Sequence, residues 1–250
     1  MTAFEAVTRL GFAARGTMYA SIGYLALRSG RTEDAGGVMD YLATGAGGFL
    51  VAAMAAGFFS YGVWRLLEAW LDTEGRGKDA KAIGARLAGA GSGLVHLGLG
   101  VAAVLAALHM KGGGGGDTPE KGASVALSLP GGEGLLWIGA AIFAGVGLQQ
   151  FRKAWLLKFL KHLKPEAAKR AWIPWLGRLG FAARGIVFLV IAWLFVQAAR
   201  SHSSAAAGGI DDALGSLPRS VQIAVAAGVI LFGFFSLTEA VYRKMPATRR

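Results

Sequence analysis

The chain has 250 residues, of which 54% are hydrophobic and only 16% charged, with 39 glycines and no cysteine. A soluble protein carries about a quarter charged residues, so the deficit points to lipid as the solvent. The lack of cysteine excludes disulfides, thiolate metal sites and a cysteine nucleophile. The net charge of +11 flanks apolar stretches and is not gathered on a soluble module, which argues against nucleic acid as a partner.

Six stretches reach the roughly 20 residues that cross a bilayer core: approximately 8–28, 47–71, 83–109, 134–157, 175–199 and 220–242. The first runs into Leu27-Arg28-Ser29 with no small-x-small cleavage site, so it reads as a span and not as a cleaved signal. It opens with Arg9-Leu10-Gly11-Phe12-Ala13-Ala14-Arg15-Gly16. The fifth opens with the same eight residues, Arg178 to Gly185, and the third with a weaker copy, Arg86 to Gly93. The second members repeat as well. Gly62-Val63-Trp64-Arg65-Leu66-Leu67-Glu68 lines up with the segment from Gly147 to Lys153 and with the one from Gly233 to Glu239. Gly57 precedes Gly62 by five residues, as Gly228 precedes Gly233.

Such self-similarity marks tandem structural units. One membrane domain, 1–250, is expected to hold repeats over 6–72, 83–157 and 173–243. The predicted fold is all-α: six transmembrane helices forming three tandem helical hairpins. An even number of spans per unit keeps the three hairpins in one orientation, with pseudo-three-fold symmetry about the membrane normal.

The outer connections differ among repeats. Val38, Tyr41 and Leu42, and later Ile210, Ala213 and Leu214, have the i, i+3, i+4 spacing of short amphipathic helices. The middle repeat has Gly112 to Gly116 and then Asp117-Thr118-Pro119, which predicts a flexible loop. Of the 26 Lys and Arg, all but Arg28, Arg31, Lys111, Lys121, Arg200 and Arg219 share the side of the two termini and of loops 72–82 and 158–174. The positive-inside rule places that side, with both termini, in the cytoplasm. The linker from Lys158 to Lys164, with Lys169 and Arg170, is expected to anchor on anionic lipids at that face.

Arg15 lies six residues inside Arg9, about 9 Å deeper at helical rise. Arg184 is its counterpart, and Glu68 and Glu239 sit at comparable depth on the partner spans. In the middle repeat these positions hold Ser92 and Lys153, so both members change together. The expectation is an intramembrane charge pair in each outer hairpin, Arg15 with Glu68 and Arg184 with Glu239. Local alternatives stand beside it: Arg65 and Glu68 are i, i+3 and Glu239 and Arg243 are i, i+4, and the arginines can snorkel to headgroups. Gly11, Gly16, Gly57, Gly62, Gly93, Gly147, Gly180, Gly185, Gly228 and Gly233 are predicted to let helices approach closely. His96 is the one histidine deep in a span and reads as a packing residue. No nucleophile with a base, paired carboxylates or metal-ligand spacing is evident, so no catalytic residue, cofactor or metal is assigned.

The Arg-Leu-Gly-Phe-Ala-Ala-Arg-Gly openings, with Gly-x4-Gly-x5-Glu-Ala in the partner spans, resemble the bacterial family called Domain of Unknown Function 1206. Its members look like six-span membrane proteins built from three two-helix repeats. The resemblance covers roughly residues 6–243, departs at Ser92 and Lys153, and implies a fold but no activity. The function expected is that of a structural or accessory subunit packed against another integral membrane complex, not an enzyme. The alternative is a small-solute or ion transporter or channel. Few polar residues fall at mid-span (Ser21, Ser60, His96 and Gln149), which favours a packed interior.

Overall fold

In an apolar surround a chain satisfies its backbone polar groups within a segment by forming helix, and every regular element among the described residues is helical. The structure is a computed structural model and describes residues 3–28, 32–33, 35–44, 47–72, 77, 79–108 and 118–244. The expectations placed on Arg31, Lys111, Gly112 to Gly116 and Asp117 lie outside the described residues. The helices are α1 (Ala3–Arg28), α2 (Ala35–Ala43), α3 (Gly48–Leu71), α4 (Ala80–Ala107), α5 (Thr118–Leu127), α6 (Glu133–Leu156), α7 (Pro165–Ala168), α8 (Trp172–Ser201), α9 (Ile210–Gly215) and α10 (Arg219–Tyr242).

Five of them, α3, α4, α6, α8 and α10, are long and apolar enough to cross a membrane. The sixth expected crossing, α1, has the length at 26 residues, but Glu5, Arg9, Arg15 and Arg28 keep it less apolar than the other five. The packing order also departs from three closed hairpins. The most extensive contacts join one repeat to the next: α1 to α10, α3 to α4, and α6 to α8. Within the outer repeats α1 packs on α3 and α8 on α10, whereas α4 and α6 of the middle repeat scarcely touch. The helices therefore neighbour one another in the order α4, α3, α1, α10, α8, α6. More than half of the apolar stretch of α10 is buried (56%), against 22% for α4 and α6 at the two ends of that series.

The main core lies where α1, α3, α8 and α10 meet, with Met18, Ile22, Phe58, Val187 and Val229 buried together. A second cluster, Phe159, Phe181, Phe232 and Phe235, packs edge to face near the other end. Its Phe159 comes from the basic linker, which is not a plain loop. That linker forms a 3-10 turn (Lys158–His162) and then α7, and it buries Leu163 and Ala167 as well. The Lys164 amide donates to the Tyr242 carbonyl, and the Lys244 amide to that of His162, each at 2.8 Å. Lys158, Lys161, Lys164, Lys169 and Arg170 stay exposed on the outside of this fold.

The short connecting helices are present as α2 and α9, and they are buried more deeply than an interfacial position requires. Val38, Met39, Ala213 and Leu214 are fully enclosed by the spans. The middle repeat has its equivalent in α5. The flexible loop expected through Thr118-Pro119 is corrected to the first turn of a helix, where the fixed φ of proline suits an N-terminus.

Candidate functional site at the repeat seams

Glycine decides which helices meet. A Cβ on Gly16 would stand 2.8 Å from the Gly233 carbonyl oxygen, and one on Gly233 would stand 2.7 Å from that of Gly16. The same reciprocal approach joins Gly62 to Gly93, at 2.9 and 3.0 Å, and Gly147 lies 3.1 Å from the Gly185 oxygen on the same measure. These are equivalent positions, so each seam between consecutive repeats uses the same pair of glycines. The other four serve inside the outer hairpins. A Cβ on Gly57 would stand 2.8 Å from the Leu10 oxygen, and one on Gly11 would stand 3.1 Å from the Gly57 oxygen. Gly228 lies 3.3 Å from the Leu179 oxygen, and Gly180 lies 2.6 Å from the Phe232 Cα on the same measure. In the middle repeat Ala88 and Ile142 occupy the positions of Gly11 and Gly57, and both are exposed. Without that glycine pair, α4 and α6 lose the close approach that holds a hairpin together where lipid supplies no hydrophobic drive.

The charges follow the seams and not the hairpins. Arg15 Nη2 donates to Glu239 Oε2 at 2.6 Å, and its Nε to Ser236 Oγ at 3.3 Å. Arg243 Nη1 donates to the other Glu239 oxygen, also at 2.6 Å, so this carboxylate sits between two guanidiniums. Glu68 accepts from Arg65 of its own helix. The expected pairs Arg15–Glu68 and Arg184–Glu239 are thus corrected to Arg15–Glu239 across a seam and Arg65–Glu68 within a helix. The cause is geometric. The first helix of a repeat faces the second helix of the preceding repeat, so Arg15 meets Glu239, Ser92 falls opposite Glu68, and Arg184 falls opposite Lys153.

Two cations offer each other nothing. Arg184 has no hydrogen bond or ion pair among the described residues. It lies over the faces of Phe232, Tyr19 and Phe188 at 4.3, 4.8 and 5.2 Å, an arrangement in which ring quadrupoles replace a carboxylate. Lys153 Nζ sits 5.7 Å over Phe181 and within electrostatic reach of Arg184, Arg15, Arg65 and Glu239.

A third set of arginines marks the ends of the seams. Arg9 donates to the Ala240 and Val241 carbonyls at 2.6 and 2.5 Å, and Arg86 to those of Ala69 and Trp70 at 2.6 and 2.9 Å. Each satisfies carbonyls that a helix leaves open at its C-terminus and faces the negative end of the dipole. Arg178, the third copy, makes no such bond; its Nε is buried without a partner and its guanidinium stacks on Trp175 at 5.6 Å. It borders a groove of about 880 Å³ between α6 and α8.

His96 donates from Nδ1 to the Ser92 carbonyl at 2.7 Å and packs on Tyr61, with ring centroids 4.4 Å apart. Among the described residues no three His, Asp or Glu side chains are grouped to hold a metal. Sequence reading missed the cross-seam partner of Arg15. The signal that could have found it was the glycine of α10, which matches that of α1 as well as any glycine of α3 does.

The family described as Domain of Unknown Function (DUF1206) matches residues 10–72, 87–156 and 179–243, one match for each repeat. The chain is also similar to the uncharacterized protein YxxB of Bacillus subtilis (strain 168), 26% identical over an alignment that covers 95% of this chain and 90% of that protein. No solved structure matches.

Proposed function

The chain belongs to the DUF1206 family, and from that premise we propose that it is a six-span accessory protein of the bacterial inner membrane, with both termini in the cytoplasm, whose middle repeat packs against a transmembrane helix of another integral protein. In this reading α1 is the sixth span. Residues 10–27, between Arg9 and Arg28, cover about 27 Å at helical rise, close to a hydrocarbon core. Arg15 crosses with them because Glu239 neutralises it and Phe12 lies 4.7 Å beneath it. The three equivalent glycine seams support an approximate three-fold arrangement, broken on the side where α4 and α6 part.

The observation that carries the reading is the open face of α4. Gly84, Gly91 and Gly98 recur every seven residues, all are exposed, and no atom lies within 4 Å of where their Cβ would stand. Within lipid a glycine seam of this period suits another helix. The absence of cysteine permits clean single-cysteine tests. Gly91→Cys in native membranes should crosslink to a second polypeptide, while Leu148→Cys on the outer face of α6 should not. Crosslinking only to lipid or only to another copy of this chain would sink the accessory reading. In intact cells Lys169→Cys should be shielded from an impermeant thiol reagent and Ser203→Cys labelled; the reverse pattern would invert the orientation.

A second reading, a small-solute or ion transporter, draws on Lys153, Arg184, Arg15 and Arg65 gathered around Glu239, with Glu68 beside Arg65. A specific flux in proteoliposomes that Arg184→Gln abolishes would favour it over the accessory role. Neither reading assigns catalysis.

A further inference from the structure

We propose that the groove between α6 and α8 is a binding site for the phosphate headgroup of an anionic phospholipid. The proposal rests on the chain being membrane-embedded, not on the partner helix at α4. Arg178 is the unusual member of a set of three. Arg9 and Arg86 each give two hydrogen bonds to the end of the preceding helix. Arg178 gives none to α6, and its Nε is buried and unpaired at the groove wall. A guanidinium held in place by packing yet lacking an acceptor is preorganised for an oxyanion.

The rest of the groove is equally particular to this seam. Arg152 adds a second cation where the equivalent positions in the other repeats hold Leu67 and Thr238. Trp175 adds an indole where the equivalents hold Ala6 and Ile83. Trp155 and Trp175 are mostly exposed, at 82% and 59%, as rings at a membrane–water boundary are. Below them Phe151 and Leu179 offer an apolar wall along which an acyl chain can lie. Exposed Lys158, Lys161, Lys164, Lys169 and Arg170 on the adjoining linker add to the positive potential. Two arginines at the interface with an apolar floor beneath them match a charged head joined to a hydrocarbon tail, and a soluble phosphate would leave the floor uncovered.

The test uses the full chain in a mild uncharged detergent, with thermal stability followed as lipid is added. Dioleoyl phosphatidylglycerol should raise the melting temperature saturably, whereas dioleoyl phosphatidylcholine and inorganic phosphate should not. Arg178→Gln and, separately, Arg152→Gln should each raise the half-saturating phosphatidylglycerol concentration about tenfold. Arg178→Lys should lose less. Arg152 is exposed and makes no hydrogen bond or ion pair among the described residues, so its variant keeps the test intact if Arg178→Gln fails to fold. Arg9→Gln should lower stability without lipid and leave the lipid response unchanged. Equal responses to the two lipids, responses unaltered in both glutamine variants, or a full response to inorganic phosphate alone would overturn the assignment. Gly91→Leu, which blocks the α4 face, should leave the lipid response untouched, so failure of the partner reading is seen separately.

Discussion

Glu239→Gln is expected to lower the unfolding free energy by about 3 kcal/mol, the lower end of what removing one member of a buried ion pair costs. Glu239 and its partners Arg15 and Arg243 have side chains 8%, 15% and 18% exposed, so the loss leaves two guanidiniums unpaired in a poorly solvated place. Ser236 and the Phe12 ring still hold Arg15, which keeps the loss from being larger. Glu68→Gln should cost less, because its pairing with Arg65 runs along a single helix and ties no two helices together. Unfolding in mixed micelles titrated with an anionic detergent measures both. The charge-swap pair is sharper still. Arg15→Glu combined with Glu239→Arg should recover part of the loss of either single variant, and Arg15→Glu combined with Glu68→Arg should recover none. Recovery in the second combination and not the first would restore pairing inside the hairpin.

Gly233→Ala is also expected to be damaging, although it adds only one methyl group. The new Cβ would stand 2.6 Å from the Ala20 amide nitrogen and 2.7 Å from the Gly16 oxygen, both backbone atoms that no side-chain rotation moves aside. Either α1 and α10 separate or α10 bends, at about 1–3 kcal/mol for overpacking. Gly98→Ala makes the same chemical change in open space. It should stabilise by about 0.5–1 kcal/mol, the usual difference between these residues inside a helix. The same titration compares them; equal effects would mean that the seam glycines carry no packing role. The pairing of Arg15 with Glu239 and the approach of Gly16 to Gly233 lie on one interface, so the two losses should not simply add.

Much of this molecule is legible in its sequence. Span length and apolar runs are local properties, and they located α3, α4, α6, α8 and α10 to within a few residues. The i, i+3, i+4 spacing that announced α2 and α9 is local too. Helix α5 was hidden because a glycine run precedes it and Pro119 punctuates its start, both ordinary signs of a loop. The inward apolar residues of the basic linker, Phe159 and Leu163, were masked by the lysines between them.

By itself the sequence determined that three related helix pairs exist, where their glycines fall and which positions carry charge. Only the tertiary structure decided which helix meets which. The repeats share one register, so Arg15 finds an equally placed carboxylate on α3 and on α10, and nothing in the order of residues prefers one. The choice belongs to the close approach of Gly16 and Gly233, which brings α10 against the Arg15 face of α1. The same geometry puts Arg184 opposite Lys153 and leaves Arg178 without an acceptor, a mismatch that no single repeat displays and that arises only when neighbouring repeats are packed together.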